Sequence, residues 1–412
     1  MARPRGQNGS VEELGRTWRI RYVEERSDGT RVRRSKGGYP SKRAAAKALR
    51  GILAKIDDGS HVPESSKTVG AFLAEWLEGQ RPHVADNSWV TCRNHVDYYL
   101  APSDDACAAY AKRTRTPARP AGLQRPSLSA VRLQDLTVER VSRHWSQLLE
   151  RGKRDGTGLK PRTVRGVRIT LQTALNATHE AGDLPKPLKL RRVPVPRRPP
   201  TVFTAEQTGA FLHVAAGDRL APMWLLMVTT AMRPNEVLGL RWSALDLDAG
   251  VLFIYKKLIK VDGVPVLRDG TKTDHSAAPI ALDPAVVLAL RDWRAAQRAE
   301  RQIWPNQVED NDLVFTREDS SCLRPDWVNR HFHRLAAAAG LPADPRLYDL
   351  RHGWATAALR AGINPRLVQE VMRHSSYRTT ADVYSHVMPT QSAEAVSAVA
   401  ALFRATGVNR LS

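Results

Sequence analysis

Two arginines in the second half of the chain stand in segments that could bind an anion. Arg233 lies in Thr-Thr-Ala-Met-Arg-Pro-Asn-Glu (229–236), and Arg351 lies in Tyr-Asp-Leu-Arg-His (348–352). Arginine presents a planar fork of donors that matches the oxygens of a phosphate two at a time. A pair of arginines therefore suits the transition state of phosphoryl transfer, in which negative charge collects on the nonbridging oxygens.

Three further side chains could complete a set for phosphoryl transfer. Tyr384 can act as a nucleophile once nearby cations stabilise its phenolate, because a free tyrosine has a pKa of about 10. Lys272 lies in a turn before a predicted strand and can protonate a leaving oxygen. His374 can donate to a phosphate or carry a proton near pH 7. Three other lysines lie near Lys272 in the sequence and compete for its role: Lys256, Lys257 and Lys260.

Motifs for other phosphoryl-transfer chemistries are missing from the sequence. There is no Gly-x-x-x-x-Gly-Lys phosphate loop, no paired-carboxylate motif for two metal ions, and no zinc spacing. The three cysteines, Cys92, Cys107 and Cys322, are too scattered for a disulfide framework. We therefore predict a cytoplasmic protein that uses no cofactor and no metal, with no signal peptide and no membrane segment.

The charge of the chain is strongly positive and unevenly distributed. Its 412 residues include 63 Lys and Arg against 42 Asp and Glu, a net charge of +21. Residues 1–65 carry +7 and residues 66–200 carry +12, whereas residues 201–412 carry only +2. A clustered excess of this size favours a polyanionic partner such as DNA over a merely solvated basic surface.

The first 65 residues predict a small α+β module. Trp18, Ile20 and Tyr22 alternate with polar residues in the period-two pattern of a half-buried strand, and Ser41 caps a helix. Arginines on consecutive strands could lie in a DNA groove, although a solvated sheet face is the simpler alternative. The candidate DNA-binding residues of this module are Arg19, Arg21, Arg31, Arg33 and Arg34.

Residues 66–190 predict a helical domain with an inserted flexible loop at 103–127, which is rich in Ala, Pro and basic residues. A helix from Pro161 carries three cations on one side. A basic, proline-rich linker follows at 191–200 and suits passage along a phosphate backbone. The candidate DNA-binding residues of these segments are Arg162, Arg165, Arg168, Arg191 and Arg192.

Residues 201–395 predict a mixed, mostly helical domain with a small antiparallel sheet. Thr204 and Gln207 form a capping box. Strands are expected at 251–259 and 264–268 around the turn Asp262-Gly263, and a third at 278–282. A tail helix is expected at 396–412. The predicted fold class is thus multidomain and mainly α: a small α+β module, an all-α domain and a mixed domain.

Taken together, the four chemical segments resemble the signature boxes of the tyrosine recombinase (phage-type integrase) family. The resemblance rests on the Arg351-His352 dipeptide, an Asn364-Pro365 restart, a His374-Ser-Ser element and Tyr384-Ser-His-Val, in order over roughly 155 residues from the Arg233 segment. It implies an arm-type DNA-binding domain at 1–65, a core-binding (SAM-like) domain at 66–190 and a catalytic domain at 201–395.

The resemblance also implies a role for each residue. Tyr384 would form a 3′-phosphotyrosine and release a 5′-hydroxyl, while Arg233 and Arg351 clamp the scissile phosphate. Lys272 would be the general acid on the leaving oxygen, and His374 would hydrogen-bond the phosphate. Glu236 would buttress the segment that carries Arg233.

Two positions depart from the family pattern. Tyr348 stands where the family usually has the histidine of its His-x-x-Arg box, which leaves the proton acceptor for Tyr384 open, since a neutral phenol is a poor base but a usable donor. His352 is a neighbour, although one residue further round a helix it points about 100° away from Arg351. Arg373 stands where a glycine commonly precedes the histidine, and would either touch DNA or be solvated.

The resemblance implies an integrase of a mobile element that acts on double-stranded attachment sites, core and arm. We expect a monomer in solution and a homotetramer on DNA, with a host DNA-bending protein and an excisionase as further partners. The tail helix would dock on its own domain or on a neighbouring protomer. Two other classes remain open: a non-catalytic DNA-binding regulator of the same fold, and a type IB topoisomerase.

Overall fold

The chain folds as two compact units, residues 1–196 and residues 197–412, referred to below as the N-terminal and C-terminal units. A computed structural model describes the following residues: 9–25, 30–58, 61–62, 64–105, 107–109, 125–180, 184, 187–196, 202–269, 279–303 and 312–373. The predicted inserted loop lies largely outside these residues, and the predicted tail helix lies wholly outside them.

The N-terminal unit begins with a three-stranded antiparallel sheet in the order β1–β2–β3, packed on one helix. Its elements are β1 (Ser10–Leu14), β2 (Thr17–Glu25), β3 (Arg31–Tyr39) and α1 (Lys42–Asp57). Ile20 and Tyr22 of β2 are buried against α1, as the alternating pattern predicts. The Ser41 hydroxyl caps α1 by accepting the Ala44 N–H at 3.2 Å.

The rest of the N-terminal unit is helical. Its helices are α2 (Val69–Gln80), α3 (Asp86–His95), α4 (Val138–Arg151) and α5 (Pro161–Glu180), with a π-helical turn at Val96–Leu100 and a 3-10 turn at Leu133–Asp135. Their apolar faces share one core that includes Trp76, Trp145 and Leu171. Residues 187–196 are extended and dock on α5, where the Leu190 N–H donates to the Gln172 side chain at 2.9 Å.

The C-terminal unit has a helical core with two small sheets. Its elements before the first sheet are α6 (Ala205–Ala215), α7 (Ala221–Thr230), α8 (Pro234–Leu238) and a 3-10 turn at Trp242–Ala244. The predicted capping box is confirmed, since the Gln207 N–H donates to Thr204 at 3.2 Å and the Thr204 N–H donates to the Gln207 side chain at 3.0 Å.

The sheets differ from the predicted strands in one respect. The strands are β4 (Leu245–Asp246), β5 (Val251–Leu252), β6 (Lys256–Val261), β7 (Val264–Asp269) and β8 (Ile280–Ala281). The single strand expected at 251–259 is wrong: it breaks at 253–255, because β5 pairs with β4 and β8, whereas β6 pairs with β7 in a separate sheet. The predicted turn does join β6 to β7, with positive φ at both Asp262 and Gly263.

Four helices complete the described part of the C-terminal unit: α9 (Pro284–Ile303), α10 (Pro325–Ala338), α11 (Asp349–Arg360) and α12 (Pro365–Val371). Phe211, Trp224 and Phe332 pack edge to face or tilted at its centre. The predicted fold class, mainly α with small antiparallel sheets, is confirmed. Within the described ranges, no helix has the length and apolar character needed to span a membrane.

Candidate functional site

Arg233 follows directly from the end of α7. Helix α7 stops at Ala231, whose φ of +51° lies in the left-handed region, and two residues later Arg233 is the N-cap of the short helix α8. The Arg233 N–H donates to Glu236 Oε2 at 2.9 Å, and its Nη1 donates to Glu236 Oε1 at 2.8 Å. Glu236 thus holds both the backbone and the guanidinium of Arg233 at the start of α8.

Close packing fixes α8 against the β6–β7 hairpin. A Cβ added to Gly239 would lie 2.6 Å from Lys257 Cα and 2.7 Å from the Leu258 nitrogen. Both neighbours are backbone atoms of β6, so only glycine permits this approach. The hairpin that leads toward Lys272 is therefore packed directly behind the segment that carries Arg233.

Arg351 lies in the first turn of α11 and joins three separate segments. Its side chain is almost fully buried, with 1% exposure. Nη1 donates to the Ala231 carbonyl and Nη2 donates to the Met372 carbonyl, while Nε has no partner among the described residues. Burial lowers the pKa of Arg351 to about 10, with the Arg233 charge acting in the same direction, so the group stays protonated at pH 7.

Arg373 closes the cluster from the end of α12. Its Nη2 donates to Glu236 Oε2 at 2.8 Å, and its carbonyl accepts from Arg233 Nη2 at 3.0 Å. Burial alone would raise the pKa of Glu236, but the Arg373 charge and the Arg233 N–H, among other contacts, lower it. Glu236 is therefore an anion shared between two guanidinium groups.

The cluster formed by Arg233, Glu236, Arg351 and Arg373, called here the arginine cluster, carries a surplus of positive charge. Three guanidinium groups face one carboxylate, which leaves a net charge of +2 in a largely buried place. The nearby Asp349 does not offset it, because its carboxylate already accepts four hydrogen bonds from Arg346 and pairs with that guanidinium. A buried surplus of charge, with no partner for Arg351 Nε among the described residues, is chemically suited to an anion such as a phosphate diester.

Tyr348 and His352 lie beside the arginine cluster at the start of α11. Tyr348 is 40% exposed, and its phenol is close enough to Arg233 and Arg351 to affect their pKa values. The rings of Tyr348 and His352 are 5.5 Å apart. Burial lowers the pKa of His352, which is therefore neutral at pH 7, and its Nδ1 has no partner among the described residues.

Three predicted catalytic residues lie outside the described residues: Lys272, His374 and Tyr384. Of the rival lysines, Lys256 pairs with Asp269 at 2.6 Å and Lys260 pairs with Asp326. The structure therefore brings together Arg233, Arg351 and Tyr348 from the predicted set. In the described ranges, no group of three or more His, Cys, Asp or Glu side chains could hold a metal ion.

Sequence reasoning missed the part that Arg373 plays. The sequence suggested a DNA contact or a solvated side chain, whereas the structure buries it against Glu236, with a side-chain exposure of only 6%. The available signal was that Arg373 directly precedes His374, where the family pattern commonly has a glycine. Nothing in the sequence indicates that its partner would be Glu236, 137 residues away.

The predicted DNA-binding arginines of the small module fall on two faces of its sheet. In register, Arg33 is opposite Val23 and Arg31 is opposite Glu25, which places them on the outer face with Arg19 and Arg21. Glu12 partly offsets this charge, since Arg19 contacts it at 2.7 Å and Arg21 at 3.2 Å.

Arg34 is opposite Tyr22 on the inner face of the sheet, where it pairs with the buried Glu24. It is therefore separated from the four outer arginines.

The three predicted DNA-binding arginines of α5 also differ in their surroundings. Arg162 and Arg165 are exposed. Arg168 instead donates to the carbonyls of Leu190 and Arg191 at 3.2 and 3.1 Å, which fastens residues 187–196 to α5. Arg191 and Arg192 are exposed on that segment.

The sequence is similar to those of known recombinases and integrases. Residues 201–391 match the phage integrase family model. A tyrosine recombinase XerC-like protein of Caldanaerobacter subterraneus subsp. tengcongensis is 23% identical over 397 residues, which cover 91% of this chain and 93% of that protein. The ICEBs1 integrase of Bacillus subtilis is 23% identical over 266 residues, covering 64% and 70% of the two chains.

Solved structures show the same fold. The Tn1549 transposon integrase in complex with transposon right end DNA has a TM-score of 0.63 at 17% identity, covering 81% of this chain and 99% of that one. A lambda integrase dimer bound to a COC′ core site has a TM-score of 0.51 at 15% identity, covering 93% and 96%. The likeness extends beyond the region that the family model matches.

Proposed function

We propose, from the premise that this chain is a tyrosine recombinase of the phage integrase family, that its arginine cluster holds the scissile phosphate of attachment-site DNA. The chain is a site-specific DNA recombinase that binds DNA, and its relatives include integrases of mobile elements. The observation that carries the proposal is the net charge of +2 in a largely buried cluster of three arginines and one carboxylate.

The cluster fits the needs of strand cleavage. A pentavalent phosphate gains negative charge as it forms, and preorganised cations stabilise it without reorganising at that moment. Arg233 is one-third exposed and can offer its guanidinium edge to a phosphate. Arg351 is positioned by two backbone carbonyls, and its Nε has no acceptor in the part of the chain that the structure describes. DNA would supply the missing acceptor for that buried donor.

The covalent step is a transesterification. The Tyr384 oxygen attacks the scissile phosphorus, a new P–O bond forms, and the bond to the 5′-oxygen breaks. Lys272 gives a proton to that leaving oxygen, and His374 hydrogen-bonds a nonbridging oxygen. The 5′-hydroxyl of a partner strand later reverses the step, so the phosphodiester energy is conserved and no nucleotide is consumed.

Tyr348 takes the place of the usual histidine, and its exposure and closeness to Arg233 suit a hydrogen-bond donor to the phosphate. The neutral His352, whose ring lies 5.5 Å from that of Tyr348, is available as a proton acceptor. This assignment is tested by Tyr348→His, which restores the family pattern and should raise the cleavage rate if the missing histidine limits it.

Basic residues outside the arginine cluster would contact the DNA on either side of the scissile phosphate. The outer arginines of the β1–β3 sheet suit arm-type sites, and the exposed Arg162 and Arg165 suit the core. Recombination needs four active sites on two duplexes, so we propose a cytoplasmic monomer that assembles as a homotetramer on DNA. Residues 396–412 would dock on a neighbouring protomer, and a host bending protein and an excisionase would set the direction.

A covalent trapping assay tests the proposal. Wild type, Tyr384→Phe and the matched control Tyr377→Phe are incubated in EDTA with a nicked substrate that carries the element's attachment core. We expect an SDS-stable adduct with wild type and the control, and none with Tyr384→Phe. Tight binding without any wild-type adduct would favour a DNA-binding regulator, and relaxation of any supercoiled plasmid would favour a type IB topoisomerase.

A further inference from the structure

Arg373 adopts a backbone conformation that disfavours side chains. Its φ is +52°, in the left-handed region, where a Cβ crowds the neighbouring carbonyl and glycine is the usual residue. A non-glycine residue persists there only where the surrounding contacts compensate for the strain. The contacts made by Arg373 should therefore matter to this site.

Those contacts are internal. The guanidinium donates to Glu236 Oε2 at 2.8 Å and to the Val371 carbonyl at 3.3 Å, and the side chain is 6% exposed. The Arg373 carbonyl in turn accepts from Arg233 Nη2 at 3.0 Å. A solvated cation or a surface contact to DNA would leave the guanidinium exposed, so neither describes this residue.

The charge balance shows what Arg373 adds. Without it, Glu236 would neutralise Arg233, and Arg351 alone would supply a net charge of +1. With it, the same carboxylate is shared and the cluster keeps +2. Within a largely buried site, one added unit charge acts strongly on a nearby anion, because little water screens it.

We infer that Arg373 is a positioning residue that sets the net charge met by the scissile phosphate, by taking up the Glu236 carboxylate and holding Arg233 through its own carbonyl. The inference rests on the proposed function, because it assumes that a phosphate occupies the cluster. Arg373 itself need not touch DNA. Its effect should appear in the cleavage step, where phosphate charge increases, and little in DNA affinity, which many phosphate contacts share.

Charge-compensating variants test this inference. Removing Arg373 lowers the net charge to +1, and also replacing Glu236 by glutamine restores +2 without restoring Arg373. The set is wild type, Arg373→Gly, Arg373→Lys, Glu236→Gln and the double variant Arg373→Gly/Glu236→Gln. The strain control is Asp344→Gly, which relieves a similar φ of +56° at an exposed position outside the cluster.

Three quantities are measured for each full-length protein: the thermal midpoint, the Kd for attachment-core DNA, and the single-turnover rate of adduct formation at saturating DNA. We expect Arg373→Gly to slow adduct formation about 10- to 100-fold with a Kd within threefold of wild type. If Arg373→Gly slows adduct formation a hundredfold, the double variant and Arg373→Lys should each form the adduct at least ten times faster than Arg373→Gly. Asp344→Gly should match wild type.

Two results would overturn the inference: an Arg373→Gly rate within threefold of wild type, or a folded double variant as slow as Arg373→Gly. If Arg373→Gly does not fold, Arg373→Gln removes the charge while keeping most of the side chain, and the same criteria apply to it. Absence of an adduct with wild type would instead reject the proposed function, so the two failures are distinguishable.

Discussion

Each unit of the molecule buries a carboxylate between two basic side chains, and the two settings differ in their charge balance. In the N-terminal unit, Glu24 is 1% exposed and contacts Arg34 and His61, the latter at 3.2 Å. In the C-terminal unit, Glu236 contacts Arg233 and Arg373, each at 2.8 Å. By local geometry alone, the two sites look alike.

The difference lies in what surrounds each carboxylate. One arginine balances Glu24, and His61 adds charge only when protonated, so this group is close to neutral and ties the sheet to residues after α1. Glu236 faces two arginines and lies beside the buried Arg351. A balanced buried pair is costly to break, whereas a surplus of buried charge is stabilised by an external anion. The charge balance therefore distinguishes the ion pair at Glu24 from the proposed anion site at Glu236.

The largest expected effect concerns Arg351. Lysine keeps the charge in Arg351→Lys but cannot make both carbonyl bonds and has no Nε donor. We expect the single-turnover rate of adduct formation to fall by about 10² to 10³. Arg360→Lys, at an exposed position of the same helix, serves as the control and should stay within twofold. A rate above one-tenth of wild type for Arg351→Lys would contradict the assigned geometry.

Acid should weaken the N-terminal unit, in which His144 is buried and His95 is partly buried. Burial lowers the pKa of His95 and of His144 to about 4 from 6.5. Between about pH 6.5 and pH 4, these histidines are protonated in the unfolded chain but neutral in the folded chain. The free energy of unfolding therefore decreases as the pH is lowered through this window. Each histidine should cost about 2 kcal/mol between pH 7 and pH 5.

Hydrogen exchange in α3 and α4, corrected for intrinsic rates, measures this loss. His144→Gln can keep the hydrogen bond to the Tyr99 carbonyl and should remove about half of the pH dependence. An unchanged pH dependence in that variant would argue against a buried neutral His144.

A smaller effect is expected from the balanced carboxylate. Glu24→Gln leaves Arg34 without its anion and should lower the free energy of unfolding of the β1–β3 module by about 1 to 2 kcal/mol. The single-turnover cleavage rate should stay within twofold of wild type. The control is Glu64→Gln, since the exposed Glu64–Lys36 pair should contribute little. A large fall in the cleavage rate of Glu24→Gln would contradict the view that Glu24 has only a structural role.

The smallest effect separates the two faces of the sheet. Arg33→Ala should weaken binding to arm-site DNA and reduce the slope of log K against log salt by about 1, because one phosphate contact is lost. Arg34→Ala should leave that slope unchanged, because its side chain pairs with Glu24 on the inner face. Binding titrations at several salt concentrations measure both. Equal slopes for the two variants would contradict the assignment of faces.

Local sequence patterns predicted several of the helices and strands and suggested the chemistry. Ser41 and the Thr204–Gln207 box marked helix starts, because capping depends on residues three apart. Period-two alternation placed Ile20 and Tyr22 in the core of the small module. The boxes around Arg233 and Arg351 resemble those of the phage integrase family, whose model matches residues 201–391. The roles of Lys272, His374 and Tyr384 stay predictions.

Which charged groups meet depends on the tertiary fold. Arg351 bonds to carbonyls 120 and 21 residues away, and Arg373 bonds to Glu236 across 137 residues. Such contacts depend on the left-handed turns at Ala231 and Arg373 and on how α7, α11 and α12 pack, none of which follows from local periodicity. The net charge of a buried site is thus a property of the fold, because it depends on which side chains exclude water together.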